Sequence, residues 1–341
     1  MARPSSTSSS DVERLARAVK WTIAIVVAIE LALSFVPENT MIRTMRWMRH
    51  VLATQPAADV QIHGDSVAQG AFFATEIREE LPPGTKVWNA AIQGSGPEFT
   101  YFLLKDQIAH GHVPKAIVIS PSPHTLVTER TAVMVGGFLG WSEIPEAMVA
   151  SHHFFDALQG VLCKLSFTLR HRDELADLAK GRKMAQPWNG PIPTEEWRRV
   201  SGRAFEASHP PGAPGGAPPL IHPVYRQRFV VDPGEREFLA RTIALAKAHH
   251  VRVFWFALPE HEAIAAVREP LHFAPAVYAF VDSLAARGDV EVLRREFEIL
   301  PASDFNDYTH LRLPAGLKLS HELGKDLAAK LAVPAPVPPR P

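Results

Sequence analysis

The chain has 341 residues, 46% of them hydrophobic, and its 36 basic side chains balance 36 acidic ones. That length accommodates two average domains or one α/β domain with a large insertion, and the apolar fraction suffices for a core. Zero net charge excludes a global field that recruits nucleic acid or an acidic partner, and a single cysteine, Cys163, excludes an intrachain disulfide framework.

Residues 1–18 begin polar and Ser-rich and read as a disordered cytoplasmic tail. Residues 19–36 (VKWTIAIVVAIELALSFV) have the length of a short membrane span, with Lys20 and Trp21 placed as interface anchors and Pro37 closing the run. Glu30 is the discordant residue, because a carboxylate at membrane depth is costly unless paired or protonated. No small-x-small cleavage signal follows, so the expectation is a retained signal anchor: a single-pass bacterial inner-membrane protein with its main domain outside the cytoplasm. Arg14, Arg17 and Lys20 before the run are matched by Arg43, Arg46 and Arg49 after it, so charge barely decides the orientation.

Residues 37–57 form a linker with helical spacing over 41–53, and strand and helix patterns then alternate through a domain spanning 58–331. Strands are expected at 60–62, 86–90, 116–119, 251–256 and 290–292. Helices are expected at 71–81, 98–108, 234–249, 263–286 (interrupted at Pro270 and Pro275) and 315–331. Repeated β-α-β units imply an α/β fold with a central parallel sheet and helices on both faces. The pattern breaks at about 126–230, a large insertion after the third strand. It has helical spacing at 144–158 and 173–180 and an irregular Pro/Gly-rich stretch at 209–219. Residues 332–341 are proline-rich and read as a disordered tail.

Chemistry concentrates at two motifs. His63-Gly64-Asp65-Ser66 directly follows the first strand, and Asp307-Tyr308-Thr309-His310 precedes the last helix. A serine hydroxyl is a weak nucleophile unless a base takes its proton, and that base needs an orienting partner. Ser66, His310 and Asp307 supply the three groups in the chain order Ser, Asp, His. Asp304 is a rival carboxylate, and His63 reads as a strand-end residue rather than a base. No histidine spacing supports a metal site, and Gly94 and Gly96 lack the context of a dinucleotide fingerprint, so neither metal nor cofactor is expected. Trp141, Trp188 and Trp197 in the insertion have the side chains to stack on sugar, with core packing or loop anchoring as the default reading.

These blocks resemble the SGNH, or GDSL-like, hydrolase superfamily over most of 58–331 apart from the insertion. Gly64-Asp65-Ser66 is similar to its first block, and Asn89-Ala90-Ala91-Ile92-Gln93-Gly94 to its second. Asp307-x-x-His310, followed by Leu311 and Gly316, is similar to its last. The resemblance implies a three-layer α/β/α, flavodoxin-like fold, with Ser66 as nucleophile and the Ser66 and Gly94 N–H groups as oxyanion donors. One block departs: where the family often carries Gly-x-Asn-Asp, this chain reads Ser120-Pro121-Ser122-Pro123-His124. His124 and Ser122 are the two residues placed to replace the asparagine as third donor.

The resulting expectation is a membrane-anchored serine hydrolase or O-acyltransferase. Its substrate would be an acyl ester, such as an acetylated cell-envelope glycan, beside envelope polysaccharide machinery. The alternative is an inactive member of the same fold acting in binding or assembly, which the missing asparagine favours.

Overall fold

A computed structural model of the chain describes residues 9–35, 40–128, 130–181 and 223–333. Strands β1 (Val60–His63), β2 (Val87–Asn89), β3 (Ala116–Ile119), β4 (Arg252–Phe256) and β6 (Glu291–Arg294) form a five-stranded sheet in the order β2-β1-β3-β4-β6. Every pairing is parallel. Two short strands, β5 (Glu260–His261) and β7 (Ile299–Leu300), pair separately. The fold is therefore α/β with a central parallel sheet.

Burial on both faces explains why the central strand β3 reads as a continuous apolar run, while the edge strands β2 and β6 are half-buried and carry polar residues. In β3, Ala116 and Val118 join a core with Val60, Ile62, Phe254 and the helix Leu313–Leu331. The alternate residues Ile117 and Ile119 join another with Val253, Trp255 and the helices Pro233–Ala248 and Phe273–Ala286. The chain leaves β1 toward β2 on one side and returns to β3 on the other. The carboxyl ends of β1 and β3 thus lie at a topological switch point, where open α/β sheets bind ligands.

Several boundaries differ from the sequence expectations. The helix expected at 71–81 is two short ones, Ser66–Ala71 and Ala74–Glu79, so Ser66 opens a helix. Pro270 interrupts the 263–286 segment, whereas Pro275 sits in the first turn of Phe273–Ala286, where a missing N–H costs nothing. The insertion carries more helix than its pattern suggested. Helices at Ile144–Ala150 and Phe154–Leu165 build a third core on the helices Thr40–Thr54 and Pro97–Ala109, through Ile42, Met45, Phe102, Phe138 and Ile144. Arg49 pairs with Asp106 at 3.0 Å and Glu143 at 2.8 Å across that junction. The 209–219 stretch, Trp188, Trp197 and residues 334–341 lie outside the described residues.

The N-terminal expectation requires correction. A helix runs from Ser9 to Leu33, beginning inside the segment expected to be disordered. Among the described residues no helix is long and apolar enough to cross a membrane, so the 19–36 span is not supported. The uncharged run within this helix is only Trp21–Ile29, about 14 Å of helix against a hydrocarbon core of about 30 Å. Glu30, the discordant residue, has partners. Its carboxylate accepts from Ser166 Oγ at 2.6 Å and from the Phe167 N–H at 2.6 Å, at the start of the short helix Phe167–Arg170.

Candidate active site

Gly64 is required by close packing at the nucleophile turn. A β-carbon there would lie 2.3 Å from the Ser120 carbonyl oxygen and 2.6 Å from Ala68 Cβ, so only glycine lets β1 turn beside β3. Asp65 then caps the helix Ser66–Ala71, its Oδ1 accepting from the Val67 N–H at 2.9 Å. This capping chemistry is why a short polar residue precedes the helix. Ser66 is thereby fixed at the helix start, at the carboxyl end of β1.

His310 arrives from the far end of the chain. Its loop ends in the helix Leu313–Leu331, where Ser320 Oγ accepts from the Phe73 N–H at 2.9 Å and donates to the Ala71 and Gly316 carbonyls. The final helix is thus tied to the segment that follows the nucleophile helix. The consequence is a relay: Ser66 Oγ lies 3.0 Å from His310 Nε2, and His310 Nδ1 lies 2.7 Å from Asp307 Oδ2. Asp307 Oδ1 accepts from the N–H groups of Thr309 at 2.7 Å and His310 at 2.8 Å, which holds the carboxylate in register. The rival, Asp304, meets the same loop through its carbonyl, which accepts from the Arg312 N–H at 2.8 Å.

Electrostatics follow this geometry. Burial penalises the imidazolium of His310, but the hydrogen bond and charge of Asp307, with a smaller contribution from Asp65, raise it above the ordinary histidine value. Burial also opposes ionisation of Asp307, yet His310 and the two N–H donors outweigh it and hold the carboxyl well below its usual range. Thus Nδ1–H faces a carboxylate, which leaves Nε2 to accept the serine proton. His63 is different: it is buried on β1 with Nε2 3.3 Å from Gln61 Oε1, and burial pushes it down to about 4.

The expected oxyanion elements meet at the same edge. The loop after β2 is pinned to the nucleophile turn, the Ile92 N–H donating to the Gly64 carbonyl at 3.0 Å and Ser95 Oγ to the same carbonyl at 2.7 Å. Gly94 has φ +72°, a conformation that favours glycine, and its carbonyl accepts from Arg130 Nη1 at 2.6 Å. The loop after β3 brings both third-donor residues to Asp65. Ser122 Oγ donates its one proton to Asp65 Oδ2, so that proton is committed. His124 Nε2 lies 3.4 Å from Ser122 Oγ and 3.9 Å from Asp65 Oδ2. Burial chiefly pushes His124 down to about 4, Asp65 opposing and Arg130, Arg268 and His310 reinforcing, so its imidazole is neutral.

Sequence reasoning missed four residues here. Asp65 was quoted only as part of the motif, although Asp before a helix is a capping signal. Arg130, Arg268 and Tyr225 carry no sequence signature; Arg130 and Tyr225 come from the insertion and Arg268 from the end of the helix Glu262–Arg268 after β4, and tertiary packing brings them to the site. Trp141, by contrast, is exposed, with Lys164 Nζ 5.5 Å from its ring centre, away from the triad. Among the described residues the one group with metal-ligand spacing is Glu76, Glu79 and His321. Both His321 nitrogens lie within hydrogen-bond distance of carboxylates, Glu76 at 2.8 Å and Glu80 at 3.0 Å.

Comparison with known proteins adds little. No family model matches the chain, and no curated protein does. One solved structure with similarity is described as "The structure of a putative platelet activating factor from Streptococcus pneumonia". It is 11% identical, covering 93% of this chain and 99% of that one, with a TM-score of 0.33. Similarity at that level carries no argument about fold or function.

Proposed function

We propose that this protein is a serine-dependent acyl-ester hydrolase or O-acyltransferase with an SGNH-like, flavodoxin-like three-layer architecture. The observation that carries this reading is the unbroken Ser66–His310–Asp307 relay, at 3.0 and 2.7 Å. In the first step Ser66 Oγ bonds to the ester carbonyl carbon while its proton passes to His310 Nε2. The oxyanion is held by the N–H groups of Ser66 and Gly94. Collapse breaks the bond to the alkoxy oxygen, which leaves with the proton from His310. The acyl-enzyme then gives its acyl group to water, or to a sugar hydroxyl, by the same steps in reverse.

An acetylated envelope glycan as substrate, near polysaccharide machinery on the outer side of the inner membrane, follows from the family resemblance and forms part of the proposal. The many exposed apolar side chains of Ser9–Leu33, among them Trp21, Ile23, Ile25, Val26 and Val27, support contact with lipid that requires no span. The inactive binding or assembly reading draws on one observation, the commitment of the Ser122 proton to Asp65 in place of the usual asparagine amide.

The separating experiment is labelling of the full chain by a fluorophosphonate, combined with an acetyl-ester hydrolysis assay. Ser66 is expected to be labelled and Ser66→Ala to abolish both signals. A well-folded wild-type protein that neither labels nor hydrolyses would establish the binding reading instead.

A further inference from the structure

Beside the triad lies a cleft that the acyl-transfer steps above do not use. It has a volume of about 30 Å³ and is walled by Thr309 and the third-donor residues Ser122 and His124 on the triad side and by Tyr225, His261 and Arg268 beyond. A water needs about 10–15 Å³, so the cleft has room for two water-sized atoms, the footprint of a carboxylate's two oxygens.

Arg268 is the unusual wall. It is only 4% exposed, yet among the described residues its Nε and Nη2 have no hydrogen-bond partner. Its one hydrogen bond to a described residue runs from Nη1 to Glu260 Oε1. The guanidinium packs 4.0 Å from the Phe273 ring centre and 5.3 Å from that of Tyr225, which fixes its plane. Buried guanidinium N–H groups left without acceptors cost free energy, and a guanidinium pairs with a carboxylate through parallel N–H donors. The acids on the triad side are already engaged: Asp65 accepts from Ser122 and Val67, and Asp307 from His310 and Thr309. Neither acid is therefore left to serve Arg268, and a carboxylate entering the cleft would supply the acceptor that it lacks. Glu260 offsets part of the site's positive charge through its contact with Nη1, while burial shifts its own carboxyl upward against the pull of Arg268.

We propose that this cleft is a carboxylate subsite, and that the ester substrate carries an acidic group which Arg268 binds while Ser66 attacks. The proposal rests on the acyl-ester reading for its catalytic half and on Arg268 alone for its binding half. It selects, among acylated glycans, those bearing a sugar acid over neutral ones. Glu260 is then a competitor that moderates the grip of Arg268, and Tyr225 a positioning residue for the guanidinium.

The test uses the full chain with two matched esters, a monoacetylated glucuronic acid and the corresponding monoacetylated glucose. Wild type should prefer the acidic ester. Arg268→Gln should lower the acidic-to-neutral ratio of kcat/KM by about ten-fold or more, the scale of a lost hydrogen bond to a charged group. Glu260→Gln should raise that ratio, because it removes a competitor. If the pair were merely structural, both changes would depress the two esters together and leave the ratio fixed, and that outcome overturns the proposal. Should Arg268→Gln fail to fold, Arg268→Lys, which keeps the charge but loses the fork, should lower the ratio in the same direction. A readout independent of turnover is the titration of Ser66→Ala protein with glucuronate and with glucose. Glucuronate binding that weakens with Arg268→Gln supports the subsite even if no ester is hydrolysed, in which case the hydrolase reading falls alone. Equal or absent binding of the two sugars overturns the subsite, while ester hydrolysis would leave the hydrolase reading standing.

Discussion

The nucleophile edge and the N-terminal helix are built on opposite physical terms. At the nucleophile edge, short segments from β1, the loop after β2, the loop after β3 and residues 304–312 are locked to one another by hydrogen bonds. Ser66, His310 and Asp307 therefore have little freedom in position. The helix Ser9–Leu33 keeps most of its apolar side chains in solvent and is tied to the body through the Glu30 carboxylate. A site fixed by many short polar contacts is sensitive to single-atom changes, whereas a helix presenting loose apolar surface tolerates them. Under the proposed reading, acyl transfer at the relay and lipid contact by the helix are separable, and each half of that proposal can be broken.

The largest effect is expected at the relay. Asp307→Asn should lower kcat by about four powers of ten with little change in Tm, because it reverses the tautomer that His310 needs. Asp304→Asn should be nearly silent, and a reversed pair of results would show that the loop is read wrongly. Next comes the third donor. With the Ser122 proton committed to Asp65, His124→Ala should cost about two to three powers of ten in kcat, the scale of one lost oxyanion donor. Ser122→Ala should cost much less, and equal losses would make Asp65 the element that matters.

A smaller effect concerns pH. The base must be neutral to accept the Ser66 proton, and Asp307 raises His310 above the ordinary 6.5. The acid limb of kcat/KM should therefore lie above pH 6.5, activity falling as pH drops through it. Residual activity in Asp307→Asn should show that limb moved to lower pH. A limb at or below 6.5 in wild type would indicate that the Asp307 contact is not made in solution.

The smallest catalytic effect is expected from the other region. Deleting residues 1–35 should leave kcat/KM on a soluble acetyl ester unchanged and reduce co-sedimentation with vesicles. Glu30→Ala should cost at most about 1 kcal/mol, the value of a lost helix cap. A truncated protein that folds but loses turnover would join the two regions and end the separation.

How much of this was legible in sequence depends on how local each signal is. The central strand could be read because both faces of a parallel sheet are apolar there, so Ala116-Ile117-Val118-Ile119 announces itself without its neighbours, whereas the half-buried edge strand Glu291–Arg294 gives a weaker signal. The two motifs could be read because turn chemistry and the Asp307-to-His310 spacing are local. The insertion's helices were harder, since Phe154–Leu165 packs on residues 131–138 through the small residues Ala157 and Gly160, while Phe154, Phe155, Leu162 and Leu165 stay exposed. The membrane span is not supported because the uncharged run Trp21–Ile29 is too short to cross a hydrocarbon core, and the pairing of Glu30 with Ser166 and Phe167 is a tertiary contact that local hydropathy does not reveal.

By itself, then, the sequence determined the α/β alternation, the glycine turn before Ser66 and the carboxylate beside His310, because each is enforced within a few residues. Only the tertiary structure decided that His310 meets Ser66 across 244 positions, since that contact depends on strand order and on the final helix docking through Ser320. It likewise decided that the Ser122 proton goes to Asp65 and that Arg268 is buried with open donors. A buried polar group is defined by what surrounds it, and those surroundings are assembled from segments that no local pattern connects.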